Sequence, residues 1–161
     1  MKSIRLILFC ILIYISSNAQ SNKTYQSLIA QAGLLHLQKK PEKAVQLYEK
    51  AFEIQQPDAL IAYKAAGIYS LNHDSEKAFQ YLRRSLFSGW TEADWLLFDP
   101  YFDYLRTNNP EKWKEIESIA IAQEKQYEKT LKLPALRKEI NLICLNDQKL
   151  RYRKSQNTDE S

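Results

Sequence analysis

The sequence predicts an all-α protein, and three observations lead to that prediction. The chain contains only 3 glycines among 161 residues and is rich in Ala, Leu, Lys, Glu and Gln, whose side chains lose little freedom in a helix. Its 45% apolar content is enough to build a core. The stretch from Pro41 to Ala51 is echoed, 34 positions later, by the stretch from Ser75 to Ser85. A fixed period of this length is typical of stacked helical repeats.

Residues 1–19 have the pattern of a secretory signal peptide. Lys2 and Arg5 form a positive n-region, residues 6–15 form an apolar h-region, and small residues precede a cleavage site after Ala19. A helix over residues 6–15 covers only about half of the ~30 Å hydrocarbon core. We therefore expect an exported protein of bacterial type, periplasmic or secreted, with no stable membrane insertion after cleavage.

The mature chain is nearly balanced in charge. Without Lys2 and Arg5, the 23 basic residues fall to 21, against 19 acidic residues. This balance gives no case for nucleic acid as a partner. Cys144 becomes the only thiol, so no intrachain disulfide can form and the fold depends on packing.

The first predicted repeat, about 24–57, contains two helices. The first helix covers residues 24–38, where apolar side chains form a wide stripe. Pro41 ends it, because proline disfavours α conformation at the preceding residue and suits the first turn of a new helix. The second helix then runs from Pro41 to about Ile54.

The second predicted repeat, about 58–88, has the same layout. Its helices cover residues 58–71 and 75–87. His73 lies in the turn between them, and histidine is among the residues that tolerate positive φ. Gly33 and Gly67 keep the 34-residue spacing as well, so the period covers whole helix pairs across residues 20–88.

This spacing resembles the tetratricopeptide repeat family, whose unit is a helix-turn-helix of 34 residues. The resemblance implies an antiparallel array of helix pairs in an α-α superhelix. Small side chains at the family's packing positions let helices approach closely, and larger ones would cost ~1–3 kcal/mol. The resemblance assigns these structural positions to Ala32, Ala44, Tyr48, Ala51, Ala66, Tyr69, Ala78 and Leu82.

In the same family, residues of the first helix of each pair that lie off the packing face line a concave groove. The resemblance therefore implies a surface for a peptide or a helix of a partner protein. The alternative is that the predicted helix over residues 110–131 folds into the groove and fills it. The corresponding residues here are Gln26, Ile29, His36, Leu37, Leu60, Tyr63, Ser70 and Leu71.

Residues 89–131 depart from the period and are rich in aromatic side chains. Thr91 with Asp94, and Asp99 before a proline, predict the caps of two short helices, and a longer helix follows over residues 110–131. The block resembles the tail that often follows the last repeat in tetratricopeptide proteins. Because two repeats leave one apolar face open, we expect this segment to cap the array with helices.

The C-terminal part predicts an amphipathic helix over residues 132–154, begun by a proline, and a disordered tail over residues 155–161. Cys144 lies between two apolar residues, which predicts a buried and inert thiol. The basic run 149–154 is either a solvated face or a surface for an anionic lipid or polymer.

No residue pattern in the chain indicates catalysis or a cofactor. His36 and His73 are the only histidines, and they occupy different repeat positions, so we expect no metal site. Caps account for Asp94 and Asp99, and Asp103 has no nucleophile or base near it in sequence. His36 is open to two interpretations, as a residue facing solvent or one facing a ligand.

These observations predict an exported, non-enzymatic interaction module that binds a peptide or helix of a partner protein through the concave surface. Two alternatives remain. The chain could be a truncated relative of a larger exported enzyme, or a structural subunit of an envelope assembly.

Overall fold

The structure, a computed structural model, describes the backbone of residues 2–159 and the side chains of residues 20–154. Over residues 2–159 the chain forms α-helices and one 3-10 turn and has no β-strand, so the all-α prediction is confirmed. The 3-10 turn, Pro100–Phe102, lies between the fifth and sixth helices. The helices are α1 (Lys2–Leu37), α2 (Pro41–Ile54), α3 (Ala59–Leu71), α4 (Ser75–Phe87), α5 (Ala93–Phe98), α6 (Asp103–Asn108), α7 (Pro110–Glu128) and α8 (Pro134–Asp159).

The two terminal helices are longer than the sequence predicts. α1 begins at Lys2 and not near residue 24, and α8 continues to Asp159, past the expected end at residue 154. The predicted signal peptide, residues 1–19, lies outside the residues whose side chains are described. Within the described residues, no helix combines the length and the apolar character needed to cross a bilayer.

The turns that follow α1, α3 and α4 share one hydrogen-bonding pattern. The middle residue of each turn has positive φ: 57° at Lys39, 60° at His73 and 103° at Gly89. This is the geometry of the Schellman motif that ends many helices, and the positive φ predicted for His73 is confirmed. In each turn, the first amide donates to the carbonyl four residues earlier, the second to the carbonyl three residues earlier, and the third to the carbonyl five residues earlier. The three sets of amides are Gln38, Lys39 and Lys40; Asn72, His73 and Asp74; and Ser88, Gly89 and Trp90.

The core lies within and between two helix pairs. α1 packs on α2, α3 packs on α4, and α2 joins the two pairs by packing on α3. Small side chains occupy its tightest positions, and the rings of Tyr69 and Tyr81 stack with centroids 5.3 Å apart. The positions that the sequence assigned to helix packing are all buried: Ala32, Ala44, Tyr48, Ala51, Ala66, Tyr69, Ala78 and Leu82.

The segment after α4 packs on the second helix pair, α3 and α4. α7 contacts α4, α5 and α6, and the 3-10 turn contacts α3. Asp99 caps that turn, since its side chain accepts a hydrogen bond from the amide of Tyr101, as predicted. The cap predicted from Thr91 and Asp94 is wrong, because the residue that precedes α5 is Glu92 and its side chain makes no capping bond.

One side of α8 packs on the rest of the protein, and Arg137 is central to the contact. Its guanidinium pairs with Glu92 at 3.0 Å and with Glu124 at 3.3 Å. Leu145 is buried but Cys144 is exposed, so the prediction of a buried thiol is wrong. Because α8 is covered on one face only, apolar sequence neighbours do not bury the residue between them.

Candidate functional site

A cleft of about 650 Å³ opens between α1, α3 and the aromatic segment that begins after α4. Its volume lies within the range of ligand-binding pockets in proteins, ~300–1,000 Å³. Its walls are mainly apolar, with a small number of polar groups among aromatic rings. The lining residues are Ala30, Gly33, Leu34, His36, Leu37, Tyr48, Leu60, Tyr63, Lys64, Gly67, Ile68, Trp90, Trp95, Asp99 and Tyr101.

Leucine side chains at the cleft are strongly exposed to solvent. The exposed fraction is 55% for Leu34, 78% for Leu37 and 47% for Leu60. Single exposed leucines are common on protein surfaces, but several beside one concave apolar site mark a surface that a ligand can cover. These leucines come from α1 and α3, so both helices contribute to the apolar surface of the cleft.

Tyr101 forms a wall of the cleft by lying against Gly67 of α3. A Cβ atom on Gly67 would come within 3.2 Å of Cδ2 of Tyr101. The Tyr101 hydroxyl is hydrogen-bonded to Nε2 of His36 at 2.7 Å. The aromatic segment therefore contacts both α3 and α1. Burial of the His36 ring lowers the pKa of this histidine.

The inner part of the cleft combines stacked aromatic rings with a carboxylate. The rings of Tyr63 and Trp90 stack with centroids 4.1 Å apart. The Tyr63 hydroxyl donates to Oδ2 of Asp99 at 2.8 Å, and the amide of Tyr101 donates to Oδ1 at 3.0 Å. Only 4% of Asp99 is exposed, so the carboxylate is nearly removed from water.

Burial raises the pKa of Asp99, against the opposing effects of its two hydrogen bonds and of Arg106. Arg106 donates to the backbone carbonyl of Asp99 at 2.6 Å and pairs with the side chain of Asp103 at 2.7 Å. No ion pair to the Asp99 carboxylate occurs within the part of the chain whose side chains are described. Burial and the neighbouring carboxylate of Asp99 also raise the pKa of Tyr63.

The predicted groove residues divide into two groups. His36, Leu37, Leu60 and Tyr63 line the cleft. The remaining four do not: Gln26 and Leu71 are exposed elsewhere, Ile29 packs on the core, and Ser70 is fully buried.

The sequence left two alternatives open, one for His36 and one for the helix over residues 110–131. His36 lies on the cleft wall and is not simply a solvent-facing residue. No residue of α7 lines the cleft, so the helix expected over residues 110–131 does not fill it.

The aromatic segment contributes four side chains to the cleft that the sequence pattern did not predict there: Trp90, Trp95, Asp99 and Tyr101. The density of aromatic residues after Gly89 was the available signal, but it indicated only a cap that covers apolar surface. Asp99 was expected to cap a helix, which it does, but its second bond to Tyr63 depends on tertiary packing.

Metal-ligating side chains elsewhere in the described residues do not form a second site. No group of three or more His, Cys, Asp or Glu side chains is arranged to hold a metal ion among the described residues. His73 lies away from His36 and stacks on Tyr104 with ring centroids 4.3 Å apart. The cleft is therefore the candidate functional site of the described residues.

Comparison of the chain with protein-family models, with curated proteins and with solved structures gave no match.

Proposed function

We propose that the protein is a non-enzymatic interaction module that binds a peptide or helix of a partner protein in the cleft between α1 and α3. The observation that carries this proposal is the set of exposed leucines beside a concave aromatic site. Burial of apolar surface stabilises binding by about 25 cal/mol per Å² before the costs of association. Aromatic side chains such as Trp90 and Trp95 are typical binding anchors.

We also infer that α1 to α4 are two tetratricopeptide-like repeats, with the cap of residues 89–131 closing one end. Two features support this interpretation. Buried alanines recur 34 positions apart, as at Ala32 and Ala66 and at Ala44 and Ala78. The turns after α1 and α3 have the same hydrogen bonds at the same spacing. In this interpretation the cleft is the concave side of the array.

Export remains part of the proposal, since it depends on the signal-peptide pattern of residues 1–19. N-terminal sequencing of the protein recovered from the periplasm or the medium of an expressing bacterium tests it. A first residue of Gln20 is expected, and a chain that starts at Met1 would contradict cleavage.

Gly33 offers a way to block the cleft without disturbing the core. It lines the cleft, and a Cβ atom added there would meet nothing within 4 Å. A Gly33→Leu side chain therefore occupies space in the cleft, and leucine is a better helix former than glycine. Gly33→Ala is the matched control, because its methyl group is too short to fill the site.

The binding test uses a random peptide library selected on the immobilised wild-type protein, followed by synthesis of the enriched peptides. Trp90 and Trp95 line the cleft, so their fluorescence reports binding. We expect affinity to fall about tenfold or more for Gly33→Leu and to stay unchanged for Gly33→Ala. Equal affinity for the wild type and Gly33→Leu, or no enrichment of any peptide, would overturn the proposal.

A further inference from the structure

We propose that the partner segment presents a cationic side chain, lysine or arginine, to the Asp99 carboxylate within the cleft. This inference rests on the proposed function and adds the chemistry of the partner. Two features of the cleft support it. The cleft contains a buried carboxylate that has no ion-pair partner among the described residues, and several aromatic rings lie in the same cleft.

Asp99 can accept a further hydrogen bond. Its carboxylate receives one bond from the Tyr63 hydroxyl at 2.8 Å and one from the Tyr101 amide at 3.0 Å. An ionised carboxylate has about four lone-pair sites for acceptance. The residue lines the cleft although only 4% of it is exposed, so a side chain that enters the cleft can meet the carboxylate away from bulk water.

Arg106, the nearby cation, is engaged elsewhere. Its guanidinium donates to the Asp99 backbone carbonyl, pairs with Asp103 at 2.7 Å and lies 5.1 Å from the centroid of the Trp113 ring. Burial raises the pKa of Asp99 even with Arg106 nearby, which means that the charged form is incompletely compensated. A cation from a partner would offset that cost, because a buried charge is stabilised by a directly bonded opposite charge.

The aromatic rings around Asp99 favour the same class of ligand. Trp95 and Tyr101 line the cleft with it, and the faces of aromatic rings attract ammonium and guanidinium groups. Tyr63 and Trp90 also line the cleft, although each ring covers one face of the other. Lys64 also lines the cleft, but it is exposed, so water and salt screen its charge more strongly than that of the buried Asp99.

The first test reads the sequences enriched in the peptide selection on the wild-type protein. We expect lysine or arginine at one position, flanked by apolar residues. Peptides that bind in the cleft without such a position would overturn this inference and leave the proposed function standing. Absence of any peptide whose affinity depends on Gly33 would overturn both.

The second test uses one enriched peptide in three forms, with lysine, norleucine or glutamate at the selected position. Norleucine has a side chain of similar length without the charge. For the wild-type protein we expect the lysine form to bind about tenfold more tightly than the norleucine form, and the glutamate form to bind most weakly. Equal binding of lysine and norleucine forms, or preference for glutamate, would contradict the proposal without using any protein variant.

The third test assigns the preference to Asp99. Asp99→Asn keeps the side-chain shape and removes the charge, so we expect the preference for lysine over norleucine to disappear while the norleucine form keeps its affinity. Asp94→Asn is the matched control, because it removes an exposed carboxylate five positions away that does not line the cleft. Equal loss of preference in both variants would indicate a general charge effect and overturn the assignment to Asp99.

Discussion

Gly33 and Gly67 lie 34 positions apart, but their surroundings differ at the scale of single atoms. A Cβ atom on Gly67 would lie 3.2 Å from Cδ2 and 3.4 Å from Cβ of Tyr101, whereas one on Gly33 would meet nothing within 4 Å. Packing therefore explains the glycine at position 67, because the absence of a Cβ atom lets the aromatic segment approach α3. No contact explains the glycine at position 33, where the open space belongs to the cleft.

This difference predicts that the same substitution, glycine to alanine, changes the stability of the protein differently at the two positions. Glycine inside a helix costs ~0.5–1 kcal/mol relative to alanine, so we expect Gly33→Ala to raise the melting temperature. Gly67→Ala gains the same propensity but crowds Tyr101, so we expect a smaller increase or a decrease. Thermal unfolding followed by circular dichroism compares the two variants, and a larger gain for Gly67→Ala than for Gly33→Ala would contradict this account.

The side chain of Asp99 makes one local hydrogen bond and one hydrogen bond to a residue distant in sequence. Its Oδ1 atom accepts from the amide of Tyr101, which is a local helix cap, and its Oδ2 atom accepts from Tyr63, 36 positions earlier. The local bond is predictable because it joins residues two apart in sequence. The second bond is not, since it requires α3 and the 3-10 turn to pack together.

At the scale of the helix, the contact between α1 and α2 depends on small side chains. Ala44 has no exposed surface, and its helix is bounded by the residues that the sequence predicts, Pro41 and Ile54. Proline at the first helical position explains the start. The tight packing on this face explains why alanine is present at a position where a larger apolar residue would bury more area.

We expect Ala44→Leu to destabilise the protein by ~1–3 kcal/mol, because the added carbons must displace packed neighbours. A fall in melting temperature of several degrees corresponds to this loss. Lys43→Leu is the matched control, since Lys43 is the exposed neighbour on the same helix and should change stability by less than about 0.5 kcal/mol. Equal effects of the two substitutions would show that position 44 is not a close helix contact.

At the scale of the whole molecule, α8 is attached to the rest of the protein through a small set of polar contacts. Arg137 contributes ion pairs to Glu92 and Glu124, a hydrogen bond to the Thr91 carbonyl at 2.9 Å, and a position over the Tyr127 ring. Many apolar side chains of α8 stay exposed: Leu136, Ile140, Leu142, Ile143 and Leu150. Burial of apolar surface alone therefore holds this helix weakly.

Replacement of Arg137 should loosen α8 selectively. Arg137→Gln leaves the Glu124 carboxylate, whose pKa burial already raises, without the guanidinium that pairs with it. We expect the free energy of local opening of α8 to fall by ~1–3 kcal/mol. Amide hydrogen exchange in α8 should then become about tenfold faster or more.

Arg151→Gln provides the control for this experiment. Arg151 is exposed and pairs with Asp147 on the same helix, so its loss should leave exchange in α8 nearly unchanged. Uniform acceleration across all helices of the Arg137→Gln variant would contradict a local role.

The sequence by itself determined the helical class, most helix boundaries and the residues that pack between helices. These features depend on interactions within a few positions, such as proline at a first turn, the tolerance of His73 for positive φ, and small side chains at a fixed period. Four of the eight predicted groove residues line the cleft: His36, Leu37, Leu60 and Tyr63. The other four lie on the same two helices, so the period identified the helices but not the face of each helix that the cleft uses.

Only the tertiary structure decided where the cleft lies and what chemistry it has. The aromatic segment reaches α1 and α3 across contacts between residues far apart in sequence, as in the bond between His36 and Tyr101, 65 positions apart. Burial of Asp99 and exposure of Cys144 also depend on which faces are covered. Sequence neighbours determine helix ends, but burial depends on surfaces that distant segments bring together.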